Sequence, residues 1–469
     1  MTLRARRLLY ITCIIIFILI APPLVLYTAG WRYDFTYNRL VETGSLVIKS
    51  TPAKADIFLD NKPYQEKTPT IINDILPGKI NLEVKKDGYH PWEKTVAIGP
   101  RLTTFAESIK LFLQSEPKVL ISGSIKQYWW NRKQDKIAYL TNKGQLRLYN
   151  TLSGKDTFLA NVAVSTLQNV SWSPHDDQLL VSRGAPEAAT HFIVDAAATE
   201  KFINLNQITN LALTDLQWDQ ASSNTLYGLA GGALYRIPYL LKTTRLVLPG
   251  PLLSYSAGPD RIAFIEKLVK ARAANLSWIS VSDPTVIHRL TIRLDPSHDT
   301  LVKTNSRLVA INNSREKTLT IIDPSVKTDL KDSVIEIPNA QKSIWSVNGD
   351  KLIYTEAGAI YQRTFIVPLT VIPRPNSSEL ITRYSQPLQD IFWSDDESYL
   401  FYSVEDTLRV LEIGPAAEPR SLTLLEKAAN IKQPEFINSP KLITFIDESG
   451  ALQALPIAAK EDRAFLFGD

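Results

Sequence analysis

Beyond Pro117 the sequence keeps returning to one pattern: an aromatic residue, a short polar turn, then an apolar run. The returns come about every 40–50 residues, a spacing that marks repeat architectures. Trp130-Asn131 leads through Gln134-Asp135-Lys136 to Ile137-Ala138-Tyr139-Leu140. Trp172-Ser173-Pro174-His175-Asp176-Asp177 leads to Leu179-Leu180-Val181. Further copies begin at Trp218, Tyr255, Trp345, Trp393 and Phe436, with a degraded one at Lys303 that lacks the aromatic; their apolar runs lie at 226–227, 262–265, 352–354, 399–402, 442–445 and 308–311. A third strand often follows a turn, as where Asn142-Lys143-Gly144 precedes Gln145-Leu146-Arg147-Leu148-Tyr149. A small sheet of this kind cannot cover both of its faces by itself. Neighbouring sheets must stack face to face, and a closed ring covers the first and last as well.

Several strands per repeat at this period predict a β-propeller over 117–469. The copies counted above predict eight blades; a ring of seven with one irregular insertion is the alternative. Val119-Leu120-Ile121 is expected to add the outer strand of the final blade. The order Trp-Ser-Pro, four residues, then an apolar run is cleanest at Trp172-Ser173-Pro174 and resembles the TolB-like and related WD40-like propellers. The Gly-His and Trp-Asp dipeptides of true WD40 repeats are absent as a set. This resemblance implies a fold and leaves function open, because the same shape serves receptors, scaffolds and enzymes.

At the other end of the chain, 8–27 reads LLYITCIIIFILIAPPLVLY, without a charge. A helix of that length reaches about 30 Å at ~1.5 Å per residue, the thickness of a bilayer's hydrocarbon core. Arg4, Arg6 and Arg7 precede it, whereas Arg32, Asp34, Arg39 and Glu42 after it nearly cancel. The positive-inside rule then predicts an uncleaved signal anchor with residues 1–7 cytoplasmic and everything beyond about 30 outside. Tyr27, Trp31 and Tyr33 fall where interfacial aromatics gather, and Pro22-Pro23 is expected to bend the outer end or limit regular helix there. A cleaved signal peptide is the competing reading, with only Thr28-Ala29-Gly30 close to a small-residue exit. Residues 28–43 read as a juxtamembrane linker.

Residues 44–113 have the texture of a small antiparallel β-sandwich. Ile80, Leu82 and Val84 alternate with Lys79, Asn81, Glu83 and Lys85, and turn signals stand at Asp60-Asn61-Lys62-Pro63, Leu76-Pro77-Gly78 and Asp87-Gly88. This stretch resembles the PEGA family. Gly44 to Asp60, with Thr51-Pro52-Ala53-Lys54-Ala55 at its centre, resembles the family's opening strand, turn and second strand. Thr68-Pro69 matches its Thr-Pro step, and Leu76-Pro77-Gly78 with Asp87-Gly88-Tyr89 its close. The Glu-Gly of the naming motif is Ala53-Lys54 here, and Lys67 stands where a glycine is usual. The resemblance implies a spacer or adhesion unit of the cell surface and no catalytic residues. Gly78 and Gly88 read as turn glycines, and Tyr89 and Trp92 as packing residues.

Chemistry is harder to find. Net charge is +4, and the three N-terminal arginines account for most of it. A nearly neutral remainder has no electrostatic reason to follow phosphates, so nucleic acid is not an expected partner. Cys13 is the only cysteine and lies in the apolar run, which excludes disulfides and thiolate sites elsewhere. His90, His175, His191, His288 and His298 form no metal-binding spacing, and no cofactor or metal is expected. Asp176/Asp177 and Asp395/Asp396/Glu397 occupy equivalent repeat turns, where such residues stabilise the turn itself. In Tyr128-Trp129-Trp130, neighbours alternate faces, so Trp129 is the candidate for an exposed binding platform; packing beneath the linker to the preceding domain is the competing expectation. The expected function is a noncatalytic, membrane-anchored envelope scaffold whose propeller binds a protein or glycan. The alternative is a polysaccharide hydrolase or lyase using acidic residues of the propeller channel. The anchor is tested by extraction: full-length protein should stay with membranes through an alkaline wash and leave only with detergent. A mature N-terminus near Trp31 would instead show cleavage.

Overall fold

Buried and exposed side chains alternate along most of the chain, and strands form where they do. The computed structural model describes residues 3–459 except 29, 36–37, 176–177, 186–187, 199–201, 259, 268–273, 295–298, 303–307, 324–333, 347, 366–377, 395, 414–419, 427–430 and 439–440. The chain divides into two units, residues 1–116 with the C-terminal segment from Pro456, and Pro117–Leu455.

The first unit opens with helix α1, Leu3–Thr28. It continues through Pro22 and Pro23 rather than stopping there, so the expected limit at that pair is not seen. From Tyr10 to Thr28 it is long and apolar enough to cross a membrane, and none of that stretch is buried in protein. The expected linker contains an antiparallel hairpin, Trp31–Asp34 with Arg39–Glu42. Two sheets follow. In one, Gly44–Thr51 lies between Thr70–Ile75 and Thr103–Lys110; in the other the order is Lys62–Pro63, Asp56–Leu59, Gly78–Lys85, Trp92–Ile98. The expected antiparallel domain is in fact mixed, because Gly44–Thr51 and Thr103–Lys110 run parallel. A crossover makes this possible: the chain leaves the second sheet at Ile98 and returns to the far edge of the first. Between the sheets Leu46, Ile48, Ile57, Leu82, Val84 and Trp92 form the core, and Tyr89 packs against it. Gly88 takes a φ of +79°, the left-handed conformation its turn requires. The C-terminal segment joins this unit, where Leu113 N–H donates to Ile457 O at 2.9 Å.

The second unit is a β-propeller. Its described residues hold eight four-stranded sheets, seven of them meanders and the last completed by a strand from the start of the segment. Their first strands are Ile125–Trp130, Leu167–Trp172, Leu213–Trp218, Leu252–Ala257, Asp299–Val302, Lys342–Trp345, Leu388–Trp393 and Lys432–Ile437. The apolar runs of the repeat are the second strands, buried on both faces: Leu400, Phe401 and Tyr402 are all at most 1% exposed. Lys118–Ile121 pairs with Leu452–Pro456 in the last sheet, as expected for the closing strand. Sheets pack on their neighbours through shared cores, for example Ala138, Leu140 and Leu148 of the first with Val170, Leu179 and Val181 of the second. Ile446 and Leu452 meet Ile125, Tyr128 and Tyr139, joining last to first.

The repeat motif has a mechanical explanation. In two sheets its tryptophan donates across the seam to the preceding sheet, Trp172 Nε1 to Trp129 O at 3.0 Å and Trp218 Nε1 to Ser171 O at 3.2 Å, whereas the buried Nε1 of Trp345 and of Trp393 finds no partner among the described residues. Trp130 Nε1 reaches Thr444 Oγ1 of the last sheet at 3.1 Å. The small polar residue after the aromatic caps the turn. Ser173, Ser346 and Ser394 each accept from the backbone N–H five residues on. Two opposed losses follow for Trp218, which is buried and bonded. Trp218→Phe should cost about 1 kcal/mol for the missing bond, and Trp218→Ala about 3–5 kcal/mol for the cavity. Paired denaturation curves of the two variants check the order.

Candidate functional site

The first strands face the centre of the ring, and six of the eight carry the same irregularity. Register with the second strand slips between Ile125 and Gln127, Leu167 and Asn169, Thr214 and Gln217, Leu252 and Ser254, Leu388 and Asp390, and Lys432 and Glu435. A bulge leaves an unpaired residue and turns side chains aside from the ladder. Here it delivers polar groups inward between buried apolar neighbours: Asn169 precedes buried Val170, and Asp215 precedes buried Leu216. Gln127, Asn169, Asp215, Lys342 and Asp390 each stand three residues before a motif tryptophan.

These strands enclose a cavity of about 850 Å3, lined from the first five sheets and the eighth. That volume lies within the range of about 300–1,000 Å3 usual for ligand pockets. Trp129, Trp172, Asn169, Asp215, Gln217 and Glu435 give its chemical character. Gln217 is committed to structure: its Nε2 donates to Tyr255 O at 3.0 Å, and its Oε1 accepts from Ala257 N at 3.0 Å. Asn169 is exposed.

The aromatic cluster divides its work. Tyr128 is buried and its hydroxyl donates to Thr444 O at 2.9 Å; burial, helped by the nearby Glu435 charge, holds its phenol well above the usual range. Trp130 joins the same seam. Trp129 is half-buried, lining the cavity while packing against the core shared by the first two sheets.

Two carboxylates line the cavity without an ion pair among the described residues. Glu435 stands open to the cavity's water yet is crowded by protein, and this loss of solvation raises its carboxyl to about 7. Asp215, likewise open to the cavity but crowded by protein, is raised too by loss of solvation, against the lowering contribution of the Gln217 amide at 3.3 Å. Across the ring, Asp390 is paired with Lys342 at 3.1 Å.

Other residues singled out in the sequence serve the frame. Asp396 accepts from Ser394 Oγ at 2.7 Å, and Glu397 accepts from Asn348 N at 2.8 Å, joining adjacent sheets. His191 is buried between Ser182 Oγ and Leu213 O, each at 2.8 Å, and burial lowers its imidazole. His175 donates its backbone N–H to Ser223 Oγ, and His288 stacks on Trp278. Asp176, Asp177, Asp395 and His298 lie outside the described residues. No group of three or more metal-ligating side chains occurs among the described residues.

Residues 43–112 match the PEGA domain. No curated protein matches the chain. Among solved structures, the chain is similar to the Dos1 propeller, at 10% identity and a TM-score of 0.49, over 74% of this chain and 95% of that one. It is also similar to the Swd1 β-propeller domain of Myceliophteria thermophila, at 12% identity and a TM-score of 0.41, over 73% and 100%. A structure of a eukaryotic initiation factor matches at 12% identity and a TM-score of 0.44, over 74% and 92%.

The raised carboxyl of Glu435 has a definite sign. Between the usual glutamate range, about 4.3, and about 7, the folded protein holds a proton that the unfolded chain has lost. Stability therefore falls as pH rises through that window. Glu435→Gln should melt with wild type near the acid end and above it at pH values beyond the window. Melting curves across pH check this.

Proposed function

We propose that the protein is a membrane-tethered extracytoplasmic binding protein, with an eight-bladed propeller presenting its central cavity to an envelope protein or glycan. In this reading residues 1–7 are cytoplasmic, α1 is an uncleaved anchor, and 44–113 act as a spacer before the propeller at 117–469. The observation that carries the reading is the cavity of about 850 Å3 walled by half-buried indoles and polar bulge residues. Indole faces suit sugars, apolar side chains and cations alike, while amides and carboxylates fix orientation by hydrogen bonds. Trp129 is the proposed platform of that wall.

A second reading has one specific support. A carboxyl near 7, as at Glu435, is tuned as a general acid would be. An envelope polysaccharide hydrolase or lyase would use it so, and glycan cleavage by the wild type but not by Glu435→Gln would favour that reading.

The binding reading is tested by site-specific photo-cross-linking in membranes. A cross-linker at Asn169 should capture a discrete partner, and Trp129→Ala should abolish the adduct. Leu152, 84% exposed in a turn of the first sheet, is the control position and should capture nothing specific. Equal labelling from both positions would defeat the proposal.

A further inference from the structure

The hairpin after α1 turns an aromatic face outward. In its register Tyr33 lies opposite Leu40, so the two share a face, and Phe35 meets Tyr33 edge-on at 5.1 Å between ring centroids. That face is open: Phe35 is 83% exposed, Leu40 49% and Tyr33 46%. The opposite face holds Arg32, whose side chain is only 20% exposed and is drawn toward the domain by an ion pair with Asp74 at 2.7 Å. A surface hairpin normally turns its charges to water and its aromatics to the protein. This one turns its aromatics outward, with Arg39 of the other face exposed as well.

Its position is fixed by the helix. Gly30, with φ +82°, folds the chain back so that its N–H donates to Tyr27 O at 3.2 Å. Arg32 Nη1 donates to the same carbonyl at 2.7 Å, with the guanidinium 3.7 Å above the Tyr27 ring. Thr43 N–H donates to Gly30 O at 2.9 Å and ties the hairpin's far strand to the turn. Phe35 is seven residues from Thr28, the last of the helix. At ~3.4 Å per residue the chain cannot carry it more than about 24 Å away, and the clamp shortens that reach. An aromatic face held this close to an apolar helix end belongs where such rings gather, at the headgroup level.

We infer that Tyr33, Phe35 and Leu40 form a second membrane contact, lying in the interfacial layer of the bilayer that α1 enters. The inference rests on the anchoring reading proposed above. The bilayer is favoured over a second copy or a partner protein because Phe35 follows the apolar helix by only seven residues and Arg32 clamps the hairpin to the helix's last turn.

The test uses the full chain in phosphatidylcholine/phosphatidylglycerol vesicles, in a Cys13→Ser background that removes the native thiol. Spin labels are placed at Phe35→Cys and, as a solvent control, at Asn61→Cys, an exposed turn residue of the same unit. The label at 35 should collide several-fold more with oxygen, and several-fold less with a water-soluble nickel chelate, than the label at 61. Equal accessibility at both positions, in protein that resists alkaline extraction, overturns the membrane contact and leaves the anchor intact. Shielding of position 35 from both reagents, with dipolar broadening between copies, overturns it in favour of self-association. Release of the whole protein by the alkaline wash overturns the anchoring reading and this inference with it.

Discussion

The ring depends on seams between sheets more than on any single sheet. Each four-stranded meander leaves two apolar faces, and those faces are covered only by neighbours. Apolar packing supplies most of the stabilisation but has no direction. At two seams the tryptophan N–H supplies the direction, because Trp172 and Trp218 each reach one carbonyl of the preceding first strand, while Trp345 and Trp393 make no such bond among the described residues. An orphaned buried donor would cost about 1–3 kcal/mol, so the bond favours one register of sheet against sheet. At the closing seam Tyr128 and Trp130 converge on Thr444, which is itself fully buried.

The same seams explain what the sequence makes legible. Second strands are buried on both faces and read as unbroken apolar runs, so all eight were visible as such. The closing strand was visible because Val119-Leu120-Ile121 had no repeat of its own. The turn acids were readable from chemistry: Asp396 and Glu397 bond within or between turns. Parallel pairing of Thr103–Lys110 was not readable, since alternation of side chains says nothing of strand direction. Nor was the hairpin at 31–42, whose strands are short and whose apolar residues face outward.

The candidate site was less legible than the frame. Asn169 and Asp215 occupy a repeat position three before the tryptophan, a signal visible once the bulge is known. Glu435 has no such marker. Its carboxyl is raised by the crowding around it, and first strands far apart in the chain line the same cavity. Trp129 was visible as an aromatic, but its half-buried seat between two sheets comes from the stacking of those sheets. The repeat thus assigns its constant positions to holding the ring and leaves the positions before them free to differ.

The last sheet is made from both ends of the propeller segment. Lys118 stands beside Ala454, so the strand entering the ring and the strand leaving it emerge at the same edge. The segments that flank these strands are bonded to each other as well, Leu113 to Ile457 and Ser115 to Pro456. A tug along the polypeptide is therefore shared by two adjacent strands and moves them in company, instead of peeling one from the other. The joint between the two ends of the segment is thus backed by bonds between the residues that flank it.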